Sequence, residues 1–263
     1  MADPMYRVIA EELRQQIESG ELAPGSQLPT EFDLRDRFSA SRNTVRDAIK
    51  SLSSLGLVVT RPGQGTYVTE RIDPFVTTLS AGTETAFGGG EGATYLSEVS
   101  RAHRKPFMSE PRVEIQLASG EIANRLRVDE GTQLISRHQQ RHIDNTPWSL
   151  QTSFYPMRLV HDGAARLLEA ANIQQGTVQY IQETLGLKQA GYRDWITVRA
   201  PDANELAFFR IPGDGRVPVF EILRTAFDQS GNPMRLTVSV FPADRNQFIV
   251  NVGGLPAPQL GTT

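Results

Sequence analysis

LPTEFDLRDRFSASRNTVRDAIKSLSSLGLVVTRPGQGTYVT, residues 28–69, is the stretch whose pattern decides the fold. Thr30 is placed to cap a helix, because its hydroxyl accepts from a backbone N–H two or three residues on, and Asp33 follows where a capping box requires a partner. That helix runs to about Phe38, and Ser39-Ala40 make a short turn. Ser41 is a second N-cap, opening a helix whose Val45, Ala48, Ile49, Leu52 and Leu55 recur at three- and four-residue spacing. Gly56 ends it as a left-handed C-terminal residue. Residues 57–61 then alternate toward β-structure, Pro62-Gly63-Gln64-Gly65 makes a tight turn, and residues 66–68 return as a second strand. The succession predicts a helix-turn-helix followed by a two-stranded wing.

With the apolar stripe turned inward, Ser41, Arg42, Asn43, Thr44 and Arg46 share the opening turn and outer face of the second helix. A recognition helix presents side chains to base edges and phosphates from that position. Arginine suits guanine and asparagine suits adenine. Thr30, Arg35, Arg61 and the wing glycines Gly63 and Gly65 complete the candidate DNA-binding set. Two helices and a hairpin can also be a mere packing motif with solvated arginines; the full order of cap, turn, cap, basic face and Gly-rich wing favours DNA. Ahead of it, residues 6–19 place Val8, Ile9, Leu13 and Ile17 at helical spacing, a stripe that closes a three-helix core.

The chain of 263 residues is long enough for more than one domain. Its 27 basic and 30 acidic side chains give a net charge of -3, which argues against broad coating of nucleic acid. DNA affinity therefore rests on a local positive face of Arg42, Arg46, Lys50 and Arg61. The absence of cysteine excludes disulfides and thiolate metal sites. No signal-like amino terminus and no apolar run of about 18 residues is present, so the expected location is the cytoplasm, with no membrane partner. No cofactor or metal is expected. His138 and His142 share a strand, but residues four apart lie roughly 13 Å from each other, too far to chelate one ion. They and His103 and His161 are assigned structural polar roles.

Residues 71–105 include Gly88-Gly89-Gly90 and Gly92 with little apolar periodicity, and read as a flexible linker between a DNA-binding domain at 1–70 and a second domain at 106–252. Residues 253–263 read as a flexible tail. The second domain contains a gapless repeat: PWSLQTSFYP at 147–156 and PMRLTVSVFP at 233–242. Each copy follows a strand and a turn, and so returns as the second strand of a hairpin, which predicts one antiparallel sheet with pseudo-symmetry. Alternation places Trp148, Leu150, Thr152 and Phe154, with Met234, Leu236, Val238 and Val240, on a core face. Ser149, Gln151, Ser153, Tyr155, Arg235, Thr237, Ser239 and Phe241 fall on a polar and aromatic face, which antiparallel sheets often leave wet.

The N-terminal motifs resemble the GntR family of bacterial transcription regulators, whose pattern of LPSE, SR-x-TVR-x-A and Gly-x-Gly-Thr is matched by residues 28–31, 41–48 and 63–66. Phe32 stands where many relatives carry a basic DNA-contacting residue, so the preferred half-site is expected to differ. The remainder resembles the effector-sensing UTRA domain of the HutC subfamily, related in fold to chorismate lyase. The matching pieces are residues 122–126 and 130–132, the hairpin through Arg141 and Asn145 to Pro156, and residues 184–187, 201–203 and 242–245. The resemblance implies an α+β protein of two domains that is not an enzyme. It implies a ligand-responsive repressor, binding an inverted-repeat DNA operator as a homodimer and released by a small-molecule effector.

In sugar-phosphate sensors of the subfamily, an Arg-x-Arg pair holds phosphate and acidic residues bind the sugar. Those positions fall here on Gln139 and Arg141, on Gln151 and Arg235, and on Phe241 for a later aromatic. Arg235 in place of an acid changes the sign of the site, and Arg141 with Arg235 suits one anion. Ser153, Tyr155 and, at lower rank, Arg193 complete the candidate effector-binding set. Two alternatives stand beside this: a constitutive repressor with a vestigial pocket, and a chorismate-lyase-like enzyme, for which the pocket offers no evident nucleophile or acid-base pair.

Overall fold

The computed structural model describes residues 3–69, 74–80 and 93–251, in two compact units divided between Asp73 and Pro74. The first unit is three helices and a hairpin: α1 (Met5–Glu18), α2 (Glu31–Phe38), α3 (Arg42–Ser54), β1 (Val58–Arg61) and β2 (Gly65–Val68). Ile9 and Leu13 of α1, Leu34 of α2 and Val45, Ala48 and Leu52 of α3 make the core, which Leu28 and Val58 close. Two members of the expected stripes are outside it. Val8 is turned to solvent and Ala10 is buried instead, and Leu55 is exposed because it lies beyond the last turn of α3, just before Gly56 at φ +71°.

The second unit is built on a seven-stranded sheet in the order β4-β6-β7-β10-β9-β8, with β5 also paired to β6. Its strands are β4 (Pro106–Met108), β5 (Arg112–Leu117), β6 (Gln133–Ile143), β7 (Thr146–Pro156), β8 (Gln189–Arg199), β9 (Val219–Asp228) and β10 (Pro233–Pro242). The fold is thus α+β, with antiparallel pairing throughout this sheet. The repeat strands β7 and β10 are its centre, and their equivalent residues Thr152 and Val238 oppose each other directly. A pseudo-two-fold axis therefore passes between them.

Each repeat carries a bulge one residue after its opening proline, a place where one strand gains a residue over its partner. Register slips at Arg141/His142 opposite Pro147 and Ser149, leaving Trp148 as the extra residue, and again between Pro233 and Arg235, leaving Met234. The slip corrects the simple alternation. Met234 joins the cluster around Ile135 and Tyr155 rather than the row of Leu236, and Trp148 packs edge-on against Phe75.

The polar face is not wet: Ser149, Gln151, Ser153, Arg235 and Thr237 are all buried. One end is covered by α6 (Arg158–His161), the 3-10 turn Ala165–Leu168 and α7 (Thr177–Leu185), whose Leu159, Leu167 and Ile181 meet Ile135 and Tyr155. Near the other end, β11 (Asn246–Asn251) sets Phe248 against Phe220 and Phe241. The opposite face packs on α5 (Gly120–Leu126) through Ala123 and Leu126, and on α8 (Ala203–Phe209) through Phe209.

The reach expected as a linker, 71–105, carries two elements of this unit. β3 (Phe75–Ser80) pairs in parallel with β11, and α4 (Ala93–Arg101) buries Tyr95 and Val99, one helical turn apart. The partner of β3 lies at the far end of the chain, so local periodicity gave no sign of it. The glycines Gly88, Gly89, Gly90 and Gly92 and the 253–263 tail lie outside the described residues.

Candidate DNA-binding face and effector site

In the first unit, Thr30 caps α2 in a complete capping box: its hydroxyl accepts from the Asp33 amide at 3.2 Å, and its own amide donates to Asp33 Oδ2 at 3.0 Å. Ser41 caps α3, accepting from the Thr44 amide at 3.2 Å, and its hydroxyl lies 2.8 Å from Thr44 Oγ1. The hydroxyls of Thr30 and Ser41 thus fix where each helix begins. Beyond the cap, Arg42, Asn43 and Arg46 stand exposed on the first turns of α3, with Thr44 half-buried and Arg35 exposed on α2.

Sequence reasoning did not single out Glu31, which joins the two arginines. Its carboxylate accepts from Arg42 Nε at 3.1 Å and from Arg46 Nε at 2.9 Å, and the Arg46 bond, followed by that of Arg42, lowers its pKa. The signal was available, since Glu31 closes the LPTE motif. Phe32, the next residue, is 73% exposed. On the wing, Arg61 lies over the Tyr67 ring at 4.5 Å and opposite Gly65. Gly65 has φ +117°, and a Cβ there would sit 2.4 Å from Gln27 Nε2, which donates to Gln64 O at 3.0 Å. Gly63 has φ +73° in the turn.

In the second unit the expected effector residues divide into separate places. Gln139, Arg141 and Gln151 come together: Gln139 opposes Gln151, Arg141 opposes Ser149, and Arg141 donates to Gln151 Oε1. The Tyr95 ring of α4 covers the Arg141 guanidinium at 4.9 Å, and its hydroxyl donates to His142 O at 2.6 Å. Burial pushes the Tyr95 hydroxyl up to about 12 despite the nearby arginine charges. Ser149 Oγ is buried beside Arg141 and has no hydrogen-bond partner among the described residues. Gln139 also donates to Ser109 O at 3.1 Å and Asn172 Oδ1 at 2.8 Å, tying two loops to this floor.

Arg235 is elsewhere. It lies one residue beyond the Leu236–Phe154 pair, level with Tyr155, and donates to Gln189 Oε1 at 3.1 Å. Ser149 and Tyr155 are six residues apart on β7, roughly 20 Å along the strand. Arg141 and Arg235 therefore occupy opposite pseudo-symmetric ends of one face rather than flanking a single small anion. Ser153 is joined to Thr237 across the strands at 3.1 Å, Tyr155 donates to Thr177 Oγ1 at 3.0 Å within the core, and Phe241 stacks edge-on with Phe248. Arg193 is on the opposite face, opposing Thr225 and lining a surface pocket with Arg125, Arg127, Trp195 and Phe227.

Arg137, which sequence reasoning passed over, is buried on the polar face. It donates to the carbonyls of Leu167, Glu169 and Ala171 at 2.7–2.8 Å and so anchors the segment after α6. Of the histidines, His138 Nδ1 is 2.9 Å from Thr152 Oγ1, and His142 stacks between Phe107 and Phe208. Among the described residues no helix is long and apolar enough to cross a membrane.

Residues 5–68 match the model of bacterial regulatory proteins of the gntR family, and residues 111–247 match that of the UTRA domain. The HTH-type transcriptional regulator GgaR of Escherichia coli strain K12 is 25% identical over 94% of this chain and 90% of its own. The HTH-type transcriptional repressor NagR of Bacillus subtilis strain 168 is 25% identical over 94% of this chain and 93% of its own. The crystal structure of PhnF from Mycobacterium smegmatis shares the fold at a TM-score of 0.56 and 21% identity, covering 94% of this chain and 100% of that one. With a helix-turn-helix head for DNA and a UTRA domain for a small-molecule effector, the chain is a transcription regulator and belongs to the GntR family.

Proposed function

We propose that this regulator is a repressor of the HutC type that binds an inverted-repeat operator as a homodimer and is released by a small anionic metabolite. The observation that carries the effector reading is the buried guanidinium of Arg141, set between Gln151 and the Tyr95 ring beside the unsatisfied hydroxyl of Ser149. A desolvated guanidinium is a strong bidentate partner for a carboxylate or phosphate. Gln139 and Gln151 supply neutral polar contacts, and Tyr95 makes α4 part of the site. Arg235 and Gln189 form a second polar position at the other end of the face, available to a longer ligand only.

On the DNA side, Arg42, Asn43, Thr44 and Arg46 meet base edges and phosphates, Arg35 meets backbone from α2, and Arg61 with the close-approaching Gly63 and Gly65 serves the wing. Repression, rather than activation, follows the sense named for the relative NagR. Release requires only that effector bind the DNA-incompetent arrangement more tightly than the competent one. In this reading β3 and α4 belong with the effector domain at 106–252.

The test is operator binding by fluorescence anisotropy with and without pools of acidic metabolites. Arg141→Ala keeps the operator affinity and loses the response to the active pool. A wild-type complex that no metabolite changes would establish the constitutive repressor instead.

A further inference from the structure

β8 is the last strand of the sheet, paired to β9 along one edge, and among the described residues nothing pairs its other edge. Such an edge in a monomer is ordinarily short, charged or one-sided, because its free N–H and C=O groups are a template for another strand. β8 is neither short nor one-sided. It runs eleven residues, and Trp195, Ile196 and Val198 are 55%, 45% and 60% exposed. Strand alternation puts Trp195 on one face and Ile196 with Val198 on the other. Exposed apolar residues on both faces at the last strand of a sheet are the surface that a further strand, with its own side chains on each face, would cover.

Two of the three charges on β8 are turned back into the subunit, while Arg193 is exposed over the Phe227 ring. Asp194 accepts from Arg224 at 2.7–2.8 Å, and Arg199 donates to Glu205 and Glu221 at 2.7–2.8 Å. The opposite edge behaves differently. On β5, Ile115 and Leu117 are exposed on one face only, and Arg112 and Glu114, 3.4 Å apart, occupy the other.

We infer that β8 pairs antiparallel with β8 of a second copy, making one continuous sheet across the dimer, with Thr197 at the two-fold axis. The seam deepens the homodimer reading above and rests on it. Around a two-fold axis, residues equidistant from the centre face each other, so each centre fixes its own pairs; centred on Trp195, the apolar Ile196 meets the partner's Asp194. Centred on Asp194, that carboxylate meets its own copy; centred on Ile196, Arg193 meets the partner's Arg199. Centred on Thr197, Ile196 meets the partner's Val198 and Trp195 lies beside the partner's Arg199, each twice. Apolar and aromatic cross-strand pairs stabilise a sheet, and like charges directly opposite destabilise it.

The chain has no cysteine, so one introduced thiol reports its own copy. Residues opposed at the axis have Cα atoms about 4.5–5.5 Å apart, within disulfide range. Full-length Thr197→Cys under mild oxidation is expected to give a covalent dimer in high yield, and Ile115→Cys little. By sedimentation, the Ile196→Lys/Val198→Lys variant is expected to weaken dimerisation by roughly a hundredfold or more. Ile115→Lys/Leu117→Lys stays dimeric, and circular dichroism checks that both variants are folded. A dimeric wild type whose Thr197→Cys form does not crosslink and whose β8 lysine variant does not dissociate overturns the seam alone. Dissociation by the β5 variant with β8 indifferent does the same. A wild type that sediments as a monomer at micromolar concentration overturns the homodimer reading with it.

Discussion

Arg42→Ala and Arg46→Ala separate folding from DNA binding, because each arginine is held only at the surface. Their side chains are 62% and 55% exposed and share one carboxylate, Glu31, itself 37% exposed. Exposed pairs of this kind contribute about 0–1 kcal/mol to stability. Neither belongs to the Ile9, Leu34, Val45 and Leu52 core, so thermal unfolding is expected to move little. On DNA the effect is larger: removing one arginine's bond to a base or phosphate costs about 1–3 kcal/mol per head. The proposed homodimer would carry the substitution twice, giving about 2–6 kcal/mol per complex, a weakening of roughly thirtyfold at the least. Anisotropy titrations on an operator duplex between about 50 and 200 mM salt also sort the two roles. An arginine that neutralises a phosphate flattens the salt dependence when it is removed, by about 0.9 per phosphate in log–log slope, whereas removing one that reads a base leaves the slope and erodes sequence preference. Unchanged affinity and slope in both variants, with the fold intact, would refute the docking of α3 on DNA.

Gly65→Ala is expected to destabilise the first unit by about 1–2 kcal/mol, most of it from the φ of +117°. The near neighbour is the amide at the end of the flexible Gln27 side chain, so Gln27→Ala in the same chain recovers little, and calorimetry of the first unit measures both. Arg137→Met leaves the Leu167, Glu169 and Ala171 carbonyls without their donor and is expected to cost about 2–4 kcal/mol in urea unfolding; a cost below about 1 kcal/mol contradicts the anchoring role. Burial, then the charge of Arg112, holds His138 below its ordinary value, so the unfolded chain takes up the proton first. Its contribution is intact above about pH 6.5 and is lost as pH falls from there toward the folded value. His138→Gln, compared with wild type by urea midpoint at pH 7.5 and 5.5, is expected to lose less stability across that interval.

The first unit was legible almost to the residue because each of its decisions is local. Thr30, Ser41 and Gly56 act within one helical turn, and the hairpin register from Arg61 to Gly65 is fixed by its own short turn. Val8, Ala10 and Leu55 escaped, each at the edge of a stripe where periodicity cannot say whether the core reaches that far. In the second unit the repeat pointed to the two hairpins and the pseudo-symmetry, yet a period of two assumes an unbroken strand. The single extra residue at Trp148 and at Met234 changes which side chains share a face. What covers the polar face was hidden for a different reason: β3 and β11 are more than 160 residues apart in sequence and neither is strongly periodic alone.

The same distinction bears on the effector residues. An aligned motif says which side chains share a strand face and nothing about how far apart they are along it, and so Arg141 and Arg235 read as partners when the register sets them roughly 20 Å apart. The pseudo-two-fold axis explains the division: the position equivalent to Arg235 is Ser149, which opposes Arg141, and the residue opposing Arg235 is Ala226. Arg141 of β6 stands at one end of the face and Arg235 of β10 at the other. Only the end under Tyr95 also holds the paired amides of Gln139 and Gln151. An anion small enough to be gripped by one guanidinium is accordingly expected at Arg141, with Arg235 left to its bond with Gln189.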